Sequence, residues 1–262
     1  MDLDLSIVIV SYNARADLDR CLESIHASAP RAAHEVIVVD NASADGSAEA
    51  AERWPGTRVL RNTENVGFSR ATNAGIRASR GRNVLWLNSD TLVPAAALDR
   101  LLDVLDRHPD VAVVGPRLVD AQGRAELSFG RMIGPWNELR QKRLARSPAV
   151  EPLTRVEQFP DWVSGACLLV RRADADAVGL IDERFFMYTE DVDFCAAIRA
   201  AGRKILFTPE VQVVHLVGRS AATAPRATRD AYHQSRLAFY RKHHPLWVPA
   251  LRLWQAMQRT GN

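Results

Sequence analysis

The sequence predicts an α/β protein built on an open, mostly parallel sheet with helices on both faces. Three observations carry this. Through the first half of the chain, short β-branched apolar runs alternate with segments of helical periodicity. The early runs are apolar on both faces, as buried parallel strands are. They stop abruptly in polar clusters.

Residues 5–10 form the first such run and end at Ser11-Tyr12-Asn13. Leu18, Cys21, Leu22 and Ile25 then recur at helical spacing. Residues 36–39 are the second strand, stopping at Asp40-Asn41-Ala42-Ser43, and a short Ala-rich helix follows Gly46-Ser47. A third strand at 59–60, a helix over about 69–78, a strand at 83–87 ending in Asn88-Ser89-Asp90, a helix over 94–107 and a strand at 111–114 continue the alternation. Between 115 and about 161 glycines and prolines break the rhythm, which predicts a β excursion followed by a mobile loop carrying Arg140, Lys142, Arg143 and Arg146. One strand is expected over 162–170, a helix over 190–201 closed by Gly202, and further β structure at 204–207 and 211–216. No repeat or linker divides the chain. The expected organisation is one α/β domain over 1–220 and a basic helical extension over 221–262.

Of the 262 residues, 47% are hydrophobic and 25% charged, the composition of an ordinary globular protein. No stretch approaches the roughly 18–20 apolar residues of a membrane span. The first five residues lack a basic stretch and apolar core of the secretory kind, and Cys21, Cys167 and Cys195 are odd in number and widely spaced, so a reducing cytoplasm is expected. The net charge is only +3, yet seven cations from Arg226 to Arg259 face a single acid, Asp230. Leu246, Ala250, Leu253, Trp254 and Met257 fall on one helical stripe, with Arg252, Gln255 and Arg259 on another. Such a helix lies on an anionic membrane, here the inner face of the plasma membrane, or packs on its own domain or a partner. The basic tail has no recognisable nucleic-acid module.

In open parallel sheets ligands sit beyond the carboxyl ends of the strands, which places Ser11 to Asn13, Asp40 to Ser43 and Asn88 to Asp90 on one rim. Asp40 is able to hydrogen-bond a base or ribose, or else forms an Asx turn with Asn41. Asp90 at a strand end suits a Mg²⁺ or Mn²⁺ ion completed by substrate phosphates, and His215 offers a neutral imidazole nearby; a plain turn and a structural histidine are the alternatives. Glu190, Asp191 and Asp193 stand where a helix begins, so the positive end of its dipole would keep them ionised as proton acceptors or ligands, or they simply stabilise the first turn. Residues two apart point about 200° from one another, which makes Glu190 and Asp193 the expected same-side pair and separates Asp191 from Asp193. The chain has no Gly-x-Gly-x-x-Gly after the first strand, no Gly-x-x-x-x-Gly-Lys, no Gly-x-Ser-x-Gly and no His-Glu-x-x-His. Dehydrogenase, P-loop, α/β-hydrolase and zincin chemistries thereby lose their main support.

Ser6-Ile7-Val8-Ile9-Val10-Ser11-Tyr12-Asn13, Val38 to Ser47, Asn65-Val66-Gly67-Phe68, Leu87-Asn88-Ser89-Asp90-Thr91, Ser164-Gly165-Ala166 and Glu190-Asp191-Val192-Asp193, in this order, resemble glycosyltransferase family 2, inverting enzymes of the GT-A fold. The Val-Asp-Asn-Ala-Ser form and Phe185 to Asp193 look most like its bacterial rhamnosyltransferases. The resemblance implies a dTDP-L-rhamnose donor, with a UDP-sugar or a non-catalytic nucleotide-sugar-binding module as alternatives, and a saccharide or lipid-linked saccharide acceptor in cell-wall or surface polysaccharide synthesis. It implies donor contacts at Ser11, Tyr12, Asn13, Asp40, Asn41, Asn65 and Ser89, a metal at Asp90 helped by His215, and Asp191 as catalytic base. Glu190 and Asp193 would position acceptor or metal, and Gly165 would meet the acceptor. The family's metal motif is commonly Asp-x-Asp; here its first position is Asn88, a neutral and weaker ligand. The Arg140 to Arg146 segment is expected either to close over the donor or to be an idle basic loop.

Overall fold

A computed structural model describes residues 3–216 and 225–260, without the side chains of 225–227 and 258–260. β1 (Leu3–Ser11), β2 (His34–Asp40), β3 (Thr57–Arg61) and β4 (Gly81–Asn88) are parallel neighbours in the order β3-β2-β1-β4. The same sheet continues through β9 (Cys167–Arg171), β6 (Val111–Val119), β10 (Lys204–His215) and β5 (Thr91–Leu92). Only β9 and β5 run against the rest, so the expected mostly parallel α/β sheet is what forms.

Alternation along each strand builds two cores. Leu5, Ile7 and Ile9 of β1 and Leu85 and Leu87 of β4 face α1 (Arg15–Ala27) and α4 (Ala97–Arg107), which answer with Leu18, Leu22, Ile25, Leu101 and Leu105. Val8, Val84 and Trp86 face the other way, towards α3 (Phe68–Ala78) and α8 (Glu190–Ala200), meeting Ile76, Phe194 and Ile198. Fully burying side chains of this size stabilises by about 1.5–3 kcal/mol each, which makes these two layers the rigid base of the rim. The short helix α2 (Ser47–Glu52) covers β3 with its alanines, and α7 (Arg172–Ala177) follows β9 directly.

Three local expectations, and the placing of Gln255 in the tail, differ from what forms. The stretch 162–170 is two strands: β8 (Trp162–Val163) pairs with β7 (Phe129–Gly130) in a small separate sheet, and Ser164 to Ala166 turns the chain before β9. The two β segments after Gly202 are one long strand, β10, with a register shift between Thr208 and Gln212. Arg140, Lys142 and Arg143 of the basic run lie on a helix, α5 (Pro135–Leu144), with Arg146 in the turn before α6 (Val150–Leu153), so the run is no extended loop. Glu138 and Gln141 hold that helix to the body, the first by pairing with Arg236 and the second by donating from Nε2 to Phe129 O at 2.7 Å. The tail takes one of its expected courses and packs on its own domain: α9 (Pro225–His243), a 3-10 turn (Pro245–Trp247) and α10 (Val248–Thr260) enclose a third cluster of Phe185, Val192, Phe239, Tyr240 and Leu251. Gln255 faces inward, donating to His233 O at 3.1 Å, and so leaves the polar stripe. The boundary expected at 220/221 lies outside the described residues. Among the described residues no helix is long and apolar enough to cross a membrane.

Candidate active site

Register brings the polar strand ends together. Ser11 pairs with Asp40 across β1 and β2, and Val10 pairs with Asn88 across β1 and β4. Asp40 is buried; its Oδ2 accepts the Ser43 N–H at 3.0 Å, while its Oδ1 and Ser11 Oγ have no protein partner. Tyr12 is exposed beside them. Asn13 sits at φ 49°, donates its N–H to Ser43 Oγ at 2.9 Å and accepts the Ala44 N–H on Oδ1 at 2.8 Å, which ties the loop after β1 to the loop after β2.

Asn41 does something other than expected. Its Nδ2 donates to Asn65 Oδ1 at 2.8 Å and Gly67 O at 3.3 Å, and its Oδ1 accepts from Asn62 Nδ2 and the Val66 N–H, both at 3.0 Å. An amide has no more than these four bonds to make. The Asn41 side chain is spent on shaping the turn into α3. Asn65 Oδ1 also accepts the Gly67 N–H at 3.0 Å, so that atom is structural too. Gly67 has φ +87° and an added Cβ would meet Phe186 O at 2.7 Å; the neighbouring Phe68 N–H donates to that same carbonyl at 2.6 Å. The turn thereby fastens the start of α3 to the loop before α8.

At the end of β4, the short strand β5 pairs antiparallel with β10 and sets Thr91 opposite His215. This places His215 Nε2 3.4 Å from Asp90 Oδ1, and His215 Nδ1 3.2 Å from Glu126 Oε2. Ser89 is half-buried alongside. Burial disfavours a charged imidazole, but the hydrogen bonds to Asp90 and Glu126 outweigh it and raise the His215 pKa to about 9. Glu126 Oε1 is buried without a partner. Nothing in the sequence signalled Glu126: it falls in the region of broken periodicity, and the bridge between Val119 and Ala125 together with the Glu126 N–H, which donates to Leu118 O at 2.9 Å, carries it back to the rim.

The third group starts α8. Tyr188 and Thr189 both adopt left-handed φ, 74° and 64°, a conformation that costs a non-glycine residue about 1–2 kcal/mol and that concentrates at functional sites. Asp191 Oδ2 accepts the Gly165 N–H at 2.9 Å and Oδ1 accepts the Val192 N–H at 2.8 Å. Gly165 contributes this N–H and its lack of a side chain, since a Cβ would stand 3.2 Å from Asp191 Cβ. The next residue, Ala166, accepts the Asn88 N–H at 3.0 Å, so the Ser164 to Ala166 turn joins Asp191 to the Asp90 end of β4. Burial pushes the Asp191 carboxyl up, partly offset by the two N–H donors. Burial and the adjacent Asp191 push Glu190 up as well, and its Oε2 has no partner.

Asp193 points away from this group. It is 2% exposed, with Lys242 Nζ 2.8 Å from Oδ2 and His243 Nε2 2.7 Å from Oδ1, both from α9. The expected pairing of Glu190 with Asp193 towards an acceptor does not form, because Lys242 and His243, distant in sequence, claim the second carboxylate.

The state of Glu190 has a measurable consequence. Folding raises its pKa, so the folded chain holds a proton that the unfolded chain releases, and stability falls as pH rises from the ordinary glutamate value through the raised one. Glu190→Gln, which mimics the protonated form, should be neutral near about pH 5 and stabilising by on the order of 1–3 kcal/mol near about pH 8. Denaturant unfolding at the two pH values reads this; an equal effect at both would show that Glu190 is ionised throughout.

The family model Glycosyl transferase family 2 matches residues 6–159, and Glycosyl transferase family group 2 matches 83–257. The N-acetylglucosaminyl-diphospho-decaprenol L-rhamnosyltransferase of Mycobacterium tuberculosis is 31% identical over 275 residues, covering 95% of this chain and 88% of that protein. The chain belongs to glycosyltransferase family 2. As a family 2 glycosyltransferase it has the GT-A fold, and the chain resembles solved structures at low identity. The mannosyltransferase PcManGT of Pyrobaculum calidifontis, solved with GDP-Man and Mn²⁺, gives a TM-score of 0.65 at 21% identity over 96% of this chain and 69% of that one. GalNAc-T7, solved with UDP, GalNAc and Mn²⁺, gives 0.62 at 20% identity over 82% of this chain and 44% of that one.

Proposed function

We propose that this family 2 glycosyltransferase moves L-rhamnose from dTDP-L-rhamnose, with inversion, to a saccharide carried on a lipid diphosphate. The observation that carries the chemistry is the Ser164 to Ala166 turn, which holds the Asp191 carboxylate and the Asp90 end of β4 by adjacent backbone groups. Support for this donor and acceptor comes from the name of the mycobacterial relative, which is similar along nearly its whole length.

The two unpartnered oxygens, Asp40 Oδ1 and Ser11 Oγ, suit the nucleoside end of the donor, because a buried acceptor left unpaired costs about 1–3 kcal/mol that a base N–H or ribose hydroxyl would recover. At the other end, a hard divalent cation fits the donor set. Glu126 takes the Nδ1 side of His215, which leaves Nε2 to face Asp90; a cation would displace the Nε2 proton that these carboxylates favour, and a carboxylate plus a neutral imidazole is a usual partial shell that substrate phosphates complete. Asp90 and His215 would hold Mg²⁺ or Mn²⁺, which when bound stabilises negative charge on the departing diphosphate. Asp191 takes the acceptor hydroxyl proton as that oxygen bonds to the anomeric carbon and the bond from that carbon to the nucleoside diphosphate breaks on the opposite face. Backbone N–H groups hold the carboxylate in one orientation before the substrate arrives.

Calorimetric titration with dTDP-, UDP- and GDP-sugars in the presence of Mn²⁺ tests the reading. dTDP-L-rhamnose should bind at least about tenfold more tightly than the others, a difference of about 1.4 kcal/mol, and Asp90→Ala should remove the metal dependence. Tightest binding of a UDP- or GDP-sugar would replace the donor, and unaltered metal dependence in Asp90→Ala would move the cation elsewhere.

A further inference from the structure

We infer that α5 and the segment 245–257 form one composite docking face for an anionic lipid bilayer. The inference takes its purpose from the lipid-linked acceptor proposed above, and its observations are independent of that reading.

α5 presents Trp136, Leu139, Arg140 and Arg143 at the spacing of a single helical face, and all four are exposed, Trp136 by 71%. Its other side is fixed inward by Glu138 and Gln141, so this outward direction is set by packing. The tail presents a matching surface. Leu251 and Gln255 anchor α10 to the body, leaving Leu246 93% and Leu253 65% exposed, with Trp247 and Trp254 also open.

The two surfaces adjoin. Arg236 pairs with Glu138 of α5 while its guanidinium lies 4.6 Å from the Trp254 ring, and Lys142 of α5 lies 5.5 Å from that same ring. At the neighbouring end, His244 Nε2 is 2.7 Å from Ile133 O.

Charge selects the occupant. Residues 135–146 carry Arg140, Lys142, Arg143 and Arg146 against one acid, Glu138, which is turned inward; residues 244–257 carry Arg252 and no acid. Exposed tryptophan and leucine among arginines, with no outward carboxylate, is the composition of a surface that inserts shallowly between anionic headgroups. A second copy of this chain would bring the same positive charge against it.

Position gives the face its use. His243 is bonded to Asp193, one helical turn or less from Asp191, and Leu246 follows His243 by three residues, a span of at most about 10 Å. A bilayer met by Leu246 therefore lies close to the catalytic helix, within reach of a diphosphate headgroup whose hydrocarbon stays in the membrane.

Sedimentation with vesicles tests the face. The full chain should partition onto mixed phosphatidylglycerol–phosphatidylcholine vesicles at least about tenfold more strongly than onto phosphatidylcholine alone. Trp136→Ser with Leu139→Ser in α5, and separately Leu246→Ser with Leu253→Ser in the tail, should each weaken that partition about tenfold or more while leaving the melting temperature and dTDP-sugar affinity unchanged. Undiminished partition in the α5 variant would overturn the composite face, and so would a wild-type chain that ignores anionic vesicles, most plainly if light scattering showed it to be a dimer. Vesicle binding without any dTDP-sugar binding would instead sink the proposed donor and leave the membrane face standing.

Discussion

Asp191→Asn is expected to keep nucleotide-sugar affinity within about twofold of the parent and to lower the rate of transfer by about 10²–10⁴. Asparagine keeps the shape of the side chain and an oxygen able to accept the Gly165 N–H, so the turn that joins Asp191 to β4 survives. Basicity is lost, along with the acceptor for the Val192 N–H. The same carboxyl sets a pH profile: burial raises its pKa above the ordinary aspartate value, the base works only when ionised, and transfer should rise with pH through that raised value. Single-turnover transfer measured across pH, beside calorimetric donor binding, separates the two effects. Parent-like rates in Asp191→Asn would move the base to another group, and Glu190 is the neighbouring acid to test.

The second large effect concerns the junction of α5 with the tail. Arg236 and Glu138 pair with side chains only 8% and 10% exposed. Removing one partner leaves the other charge buried and uncompensated, so Arg236→Met should cost about 3–5 kcal/mol, whereas Arg236→Met with Glu138→Leu should recover most of that loss. Arg236 also stacks on Trp254 and Tyr240, so recovery will stop short of complete. Urea unfolding of the two single variants and the double variant gives the coupling directly. Additive losses would mean that the pair contributes little beyond its separate packing.

Much of the site was legible before folding was considered. Ser11, Asp40 and Asp90 stand where apolar runs stop, and a buried run that stops in polar residues marks the carboxyl rim of a parallel sheet. Asp191 was legible as part of an acidic helix start. The roles of its neighbours were not. Glu190, Asp191 and Asp193 look interchangeable in one dimension, yet the folded chain gives Asp191 two backbone donors, leaves Glu190 buried with an unpartnered oxygen, and pairs Asp193 with Lys242 and His243. The resemblance places Asn41 among donor contacts, and the four hydrogen bonds of its side-chain amide are made within the turn into α3.

Periodicity and abrupt polarity are properties of a few consecutive residues, which is why the α/β class, the mostly parallel sheet and three of its rim clusters could be read without coordinates. Partners are another matter. Glu126 reaches His215 from 89 positions away, and Gly165 meets Asp191 across 26. The direction in which a carboxylate points, and hence whether it is a base, a support or a clamp, depends on which distant donor packs against it. That choice is made by burial, since a charge removed from water must find a partner wherever the fold has brought one.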